Sequence, residues 1–177
     1  MDSIRKDKKV NNHAFVDLGL PSGNLWATCN VGASSPEQAG LYFAWGETTG
    51  VTAEQVENGE RKFNEFLKEI KDNLALNQDA AHLNMGGSWR MPTKIDFHEL
   101  LENTSHEIKN LNGTNVFLFT SNINGNTFFM PITSYWSSSM AGQRGAWLLT
   151  CHKGKYGDMV GVEFNFRSKL FSVRGVC

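Results

Sequence analysis

The chain has 177 residues, 40% of them apolar and 20% charged, and a formal net charge of −1. That length suits one domain with a real core, and the neutral balance excludes binding to a polyanion through overall charge. Three scattered cysteines, Cys29, Cys151 and Cys177, exclude a dense disulfide scaffold and any CxxC zinc or redox motif.

The N-terminus, Met1-Asp2-Ser3-Ile4-Arg5-Lys6-Asp7-Lys8-Lys9, is charged and leads into no apolar run. Residues 1–12 therefore read as a disordered tail without a signal peptide, and 13–177 as a single domain. No later segment is apolar for long enough to span a bilayer, so no membrane insertion is expected. "HAFVDLGLPSGNLWATCNVGA" predicts two short strands around Leu20-Pro21-Ser22-Gly23-Asn24, where Pro presets φ and Gly supplies a positive φ. Phe15, Leu18, Leu25 and Trp26 are core candidates, and "GLYFAWGE" (residues 40–47) reads as another aromatic strand-like segment.

In "RKFNEFLKEIKDN", Phe63, Phe66, Leu67 and Ile70 recur at i, i+3, i+4 and i+7, one apolar stripe of a helix. "LNQDAAHLNMGGSW" adds a helical patch that breaks at Gly86-Gly87, with His82 as a hydrogen-bonded structural residue rather than a ligand. "RMPTKIDFHELLEN" carries the clearest helix start: Thr93 as N-cap, Asp96 reaching back, and Phe97, Leu100 and Leu101 as the buried stripe. His98 and Glu99 are adjacent and point apart, which rules them out as an acid–base pair.

The remainder is β-rich. "NVFLFTSNINGNTFFMPI" predicts a hairpin turning at Asn124-Gly125, and "SYWSSS", "AWLLTC", "MVGVEF" and "FSVRGV" are further short strands. Strands at both ends with helices between them, and no βαβ alternation, indicate an α+β protein with antiparallel sheets. Trp26, Trp45, Trp89 and Trp136 read as core, and Trp147 borders the late strands. From Ala141 onward the cations Arg144, Lys153, Lys155, Arg167, Lys169 and Arg174 outnumber Asp158 and Glu163. This local excess suits an acidic partner surface, but no helix presents it, so nucleic acid is not an expected partner. Gly86-Gly87 lacks the Gly and Lys spacing of a phosphate loop.

Taken together, "FVDLGLPSGNLWATCNVGASSPEQAGLYFAWGET", "GGSWRMPT" before a helix, "YWSSS", "AW" and "FSVRGV" closely resemble the Fibrobacter succinogenes major paralogous domain family, over about residues 13–177. The resemblance implies a C-type-lectin-like fold with two main helices and paired N- and C-terminal strands, "FVDL" beside "FSVRGV". Glu-Pro-Asn or Gln-Pro-Asp followed by Trp-Asn-Asp, the calcium sugar-binding pattern of true C-type lectins, is absent, so no metal or other cofactor is expected. The ending also resembles the variable proteins of diversity-generating retroelements of gut bacteria and their phages.

That resemblance implies a hypervariable ligand face on the last strands and loops, binding a cell-surface protein or glycan by receptor recognition or adhesion. The setting it implies is extracellular, on a cell surface or a virion, with homo-oligomeric or multivalent display. "YWSSS", Ala146-Trp147, Val160, Val162, Arg167 and "FSVRGV" would be framework, with Trp147 also bordering the ligand face. The implied contact residues are Gln143, Arg144, Trp147, Leu148, Thr150, His152, Lys153, Lys155, Tyr156, Asp158, Glu163, Phe164, Phe166, Ser168, Lys169 and Leu170. Phe164 and Phe166 share parity with Val160 and Val162, so strand alternation would equally turn them inward. Two alternatives share the fold. One is a fixed-ligand lectin-like domain. The other is an enzyme resembling the formylglycine-generating, sulfatase-modifying type, which needs paired reactive cysteines; Cys151 and Cys177 lack a neighbouring His or Asn constellation.

Overall fold

The computed structural model of the protein describes residues 8–59, 70–155 and 157–177. In chain order these form β1 (Lys9–Val10), β2 (His13–Asp17), β3 (Leu25–Asn30), α1 (Ala53–Glu57), α2 (Ala80–Met85), α3 (Lys94–Asn103), β4 (Thr104–Leu111), β5 (Thr114–Ser121), β6 (Thr127–Pro131), β7 (Ser134–Ala141), β8 (Gly145–Gly154), β9 (Gly157–Phe166) and β10 (Arg174–Val176). The strands make three antiparallel sheets, ordered β1-β2-β3-β10, β4-β5-β6 and β7-β8-β9. The protein is α+β, as its sequence pattern predicts.

The first sheet joins the two ends of the chain, in an order that corrects one expectation. β10 pairs with β3, through Arg174↔Asn30 and Val176↔Trp26, so "LWATCN" separates "FVDL" from "FSVRGV". The outer side of β2 is taken by β1, with Val10 opposite His13 and Lys9 opposite Ala14. Asn11 and Asn12 turn this hairpin at φ of 46° and 66°, the conformation Asn tolerates best after Gly. β1 and this turn fall within residues 1–12, the segment expected as a tail. At the β2–β3 turn, Gly23 has φ 75° and its N–H donates to Leu20 O at 2.8 Å.

Among the described residues there are three α-helices; α1 and α2 are short, and α3 is one of the two main helices expected. Of the apolar stripe at Phe63, Phe66, Leu67 and Ile70, only Ile70 lies within the described residues; it is half-buried against the core. "GLYFAWGE" makes isolated bridges, Tyr42↔Val51 and Phe43↔Phe171, rather than a strand. β4 is an element the sequence pattern did not announce. It pairs with β5 along its whole length, from Thr104↔Ser121 to Leu111↔Thr114.

Helix α3 starts as its sequence dictates. The Thr93 hydroxyl accepts from Asp96 N at 3.1 Å, and the Asp96 carboxylate accepts from Thr93 N at 2.7 Å, a capping box. The same carboxylate takes Arg90 Nη1 at 2.7 Å and Asn24 Nδ2 at 2.7 Å. Burial acts to raise its pKa, but Arg90 and the Thr93 donors outweigh it and hold Asp96 below the usual carboxylate range. A depressed carboxylate stabilises the fold above the unfolded-chain pKa of about 3.9, and that contribution is lost as pH falls through the lower folded value. Asp96→Asn should therefore cost about 1–2 kcal/mol at neutral pH. Urea melts of parent and variant should converge as the pH is taken below that range, and a constant gap would refute the ionic account.

Among the described residues two apolar clusters form the core. Trp26, Phe97, Leu100, Phe117, Phe119, Phe128, Tyr135 and Leu149 form one. Trp45, Trp89, Trp136, Phe43, Leu148 and Val173 anchor the other. The four tryptophans expected in the core are all fully buried. His82 is structural, its Nδ1 3.0 Å from Trp89 O. The "YWSSS" stretch lies on β7 where its register shifts, between Trp136 and Met140. There Ser137 Oγ donates to Trp147 O at 2.7 Å and accepts from Ser139 N at 3.1 Å, while Trp45 Nε1 donates to Ser137 O at 2.8 Å. The serines thus satisfy backbone groups that an irregular ladder leaves open.

Candidate functional site

β8 and β9 pair without interruption from Gly145↔Phe166 to Gly154↔Gly157. Side chains alternate across a strand, so this register fixes which residues share a face. One face carries Trp147, Leu149, Cys151 and Lys153 from β8 with Asp158, Val160, Val162, Phe164 and Phe166 from β9. The opposite face carries Ala146, Leu148, Thr150 and His152 with Met159, Gly161, Glu163 and Asn165. The contact residues implied by the sequence are therefore divided between two sides of one sheet.

On the first face, α3 packs against all three strands, and Val160 and Val162 join the core beside Leu149 and Cys151. Beyond the start of α3 no described element covers the face. Phe164 is 66% exposed and Phe166 62%, although both share the face of Val160 and Val162. Trp147, half-buried, meets Phe164 edge to face with ring centroids 5.8 Å apart. Lys94, the first residue of α3, sets its Nζ 3.4 Å from the centroid of the Trp147 ring, a cation–π contact.

Arg144, Ala141, Gly145, Asn165, Phe164 and Phe166 line a depression of about 280 Å³. Arg144 also borders a hollow of about 540 Å³ with Gln143, Met140, Ile70 and Lys71. Gly145 is required here, because a Cβ would stand 2.7 Å from Ala141 O. Ser168 and Lys169 are exposed just past β9, and Leu170 is half-buried.

Arg167 holds this end of the sheet together. It is 5% exposed, with its guanidinium 4.6 Å from the Trp45 ring centroid. Its Nε donates to Gly145 O at 3.3 Å, Nη1 to Ile70 O at 2.7 Å and Nη2 to Gly142 O at 3.1 Å. The turn that carries Gln143 and Arg144 is thereby fixed from within.

Other implied contact residues lie elsewhere. Leu148 is 2% exposed and packs with Trp136 and Ala146, because the second core cluster covers that side of the sheet. Thr150 is also buried, its hydroxyl 3.4 Å from Ser134 Oγ and from Glu163 Oε2. His152, Lys153, Lys155 and Asp158 are exposed at the far tip of the hairpin. Lys153 lies six positions beyond Trp147, or about 20 Å along an extended strand. Glu163 is exposed on the opposite face, and Tyr156 lies outside the described residues.

The basic C-terminal excess shrinks as well. Arg167 and Arg174 are buried, so only Arg144, Lys153, Lys155 and Lys169 of those cations reach the surface. Lys94 is a functional candidate that sequence reasoning missed, since nothing next to it in the chain announces Trp147.

All three cysteines are free thiols. Cys151 is 1% exposed, and burial pushes its thiol well above the ordinary value; burial also raises Cys177. Among the described residues no three or more His, Cys, Asp or Glu side chains are grouped to hold a metal ion, and no helix is long and apolar enough to cross a membrane. Fold and site define an α+β protein with an aromatic cluster on one end of its third sheet. In comparisons with family models, curated proteins and solved structures, none matches the chain.

Proposed function

We propose that the protein is a ligand-binding module of the receptor-recognition or adhesion kind, its contact surface centred on Trp147, Phe164 and Phe166. Arg144 and Lys94 orient the ligand, a protein or glycan of another cell's surface. The observation that carries this reading is the exposure of two neighbouring phenylalanines, 66% and 62%, beside a third aromatic ring. Burying one Phe is worth about 1.5–3 kcal/mol, so two wet ones forgo stabilisation that a bound partner would recover. Aromatic residues flanked by Arg make up the centres of protein interfaces.

The finer reading is a C-type-lectin-like domain acting as the variable protein of a diversity-generating retroelement, on a cell surface or virion. Two features support it. The chain's two ends meet in one sheet, and Arg167, Val173 and Arg174 are buried framework while Gln143, Arg144, Phe164, Phe166 and Lys169 stand exposed. The burial and raised pKa of Cys151 favour binding over thiol catalysis of the formylglycine type.

Phe164→Ala combined with Phe166→Ala should move Tm by no more than about 2 °C, as surface changes do. Capture on arrays of cell-surface glycans and proteins should fall at least about 30-fold, the cost of losing a hot spot. Sequencing the 3′ end of the gene across its source population tests the variable-protein reading. A nearby reverse transcriptase and a near-copy of the last codons, with differences at Arg144, Phe164 and Phe166, is the expected result; an invariant ending without a template would refute it.

A further inference from the structure

β9 is an edge strand of ten residues. Edges are normally blunted by charge, proline or shortness, because their free backbone groups invite another strand. The other edges are short, blunted or covered. β1 has two residues and β10 three, β6 ends in Pro131, and β4 carries Glu107 and Lys109, paired at 3.0 Å. β7 is met by Ser172 and by Pro92 O, which accepts from Ser138 N at 2.8 Å. β9 has no proline and no lysine; its charges are Asp158 and Glu163, and it exposes Met159, Phe164 and Phe166.

The direction of its backbone groups follows from two hydrogen bonds. Arg167 N donates to Arg144 O at 3.1 Å, in register with the β8–β9 ladder, and Cys151 N turns away from β9 to Thr133 O at 3.0 Å. Antiparallel pairs alternate, so Met159, Gly161, Glu163 and Asn165 bond inward to β8. Asp158, Val160, Val162, Phe164 and Phe166 direct their N–H and C=O groups outward. Phe166 is capped, its N–H by Asn165 Oδ1 at 2.8 Å and its carbonyl by Lys169 N at 3.0 Å. The outward backbone groups of Asp158, Val160, Val162 and Phe164 meet no partner among the described residues.

Gly161 lies in the middle of this open stretch. A Cβ built there meets nothing within 4 Å, so the chain's own packing gives no reason for glycine. A glycine inside a strand marks a bulge or the close approach of another backbone, and the β8–β9 pairing at Gly161 is regular.

We propose that β9 pairs antiparallel with β9 of a second copy of this chain, about a two-fold axis at Gly161. In that register Asp158 of each copy faces Phe164 of the other and Val160 faces Val162, which engages every open N–H. Between them Gly161 faces Gly161 and Met159 faces Glu163, so no like charges stand opposite. A register centred on Glu163 would set two carboxylates face to face. One centred on Val162 would pair Asp158 with the already capped Phe166.

The two-fold is perpendicular to the sheet, so both aromatic clusters lie on the same side of one six-stranded sheet, about 20 Å apart along the strands. Each copy's hairpin tip, with Asp158 and its neighbour Lys153, comes beside the other copy's Phe164. The two ends of the implied contact surface, distant within one chain, meet across the pair. Bivalent capture by such a pair rests on the binding reading above; the pairing does not.

The test is sedimentation equilibrium of the full chain over a concentration series, without ligand. The parent should show a reversible monomer–dimer equilibrium. Phe164→Pro removes an outward N–H and should weaken the dimer about tenfold or more, whereas Phe164→Ala keeps that N–H and should leave it dimeric. A parent that stays monomeric, or a Phe164→Pro dimer as tight as the parent's, overturns the proposal. So does loss of the dimer in Phe164→Ala, which would place association on the ring. Should Phe164→Pro fail to fold, Gly161→Cys decides: a non-hydrogen-bonded pair on the axis suits a disulfide, and mild oxidation should covalently link two chains where the parent is not linked. Recovery of unlinked chains alone would refute the register.

Discussion

Arg174→Ala is expected to cost about 4 kcal/mol of folding stability, the largest loss from any single side chain discussed above. Arg174 is fully buried in β10, and its guanidinium is the joint between two sheets. Nε donates to Asn30 Oδ1 at 2.8 Å and Nη1 to Ala27 O at 2.8 Å, both on β3. Nη2 crosses to Phe129 O on β6 at 3.0 Å, and the group lies 5.7 Å from the Phe128 ring centroid. Carbonyl oxygens and one amide solvate the cation. Burial lowers its pKa from the ordinary value, yet guanidinium starts so high that it keeps its proton.

Truncation would leave three acceptors unpaired inside the protein and open a cavity of guanidinium size. Arg174→Met separates these effects, since it fills most of the volume while removing the buried charge. Its loss should be about half that of the alanine variant, because the desolvation cost of the cation disappears with it. Urea denaturation with a constant m-value measures both. An alanine variant with an unchanged midpoint would remove Arg174 from the list of structural joints.

None of that is visible along the chain. "FSVRGV" reads as framework, but the same arginine also counts toward a basic C-terminal excess offered to an acidic partner. What separates the two is burial, and burial depends on strands far away in sequence. Features whose parts are neighbours are legible: the Thr93–Asp96 box, the turn at Gly23 and the hairpin at Asn124-Gly125 all form as their residues predict. β4 escaped because it is an exposed edge, with Ser105, His106 and Glu107 in place of an apolar alternation. Its turn carries the same Asn-Gly pair, Asn112 at φ 51° and Gly113 at 87°. That signal was present but lay beside a strand with no apolar face to support it.

The site divides along the same line. Strand parity correctly puts Phe164 and Phe166 on the face of Val160 and Val162. It says nothing of where α3 stops covering that face, which is what makes the valines core and the phenylalanines surface. Leu148 and Thr150 show the converse. They sit among chemically mixed residues, which suggests exposure, while the sheet face they occupy is packed beneath Trp136. Pairing register fixes faces; tertiary packing decides which faces are wet.

Arg167→Ala is expected to uncouple the two, leaving the sheet folded but its aromatic end disordered. Three backbone carbonyls, those of Gly142, Gly145 and Ile70, converge on this one guanidinium, and the Trp45 ring flanks it. Losing charged donors to three backbone carbonyls, one buried and two part-buried, together with a cation–π contact should cost about 2–3 kcal/mol. The larger consequence is geometric. Gly142 and Gly145 bracket the turn bearing Gln143 and Arg144, so releasing their carbonyls frees the residues that line the depression beside Phe164 and Phe166. Hydrogen exchange should accelerate at residues 141–145 with little change in β4, β5 and β6, and ligand capture should fall as far as in the double phenylalanine variant. Arg167→Lys should recover less than about half of the lost stability, since a single ammonium on a flexible stem cannot donate to three diverging acceptors and lacks the planar group that lies over the ring. Full recovery by lysine would mean that charge alone supports the turn. Uniformly faster exchange across the three sheets would mean that Arg167 serves the whole fold rather than this end of it.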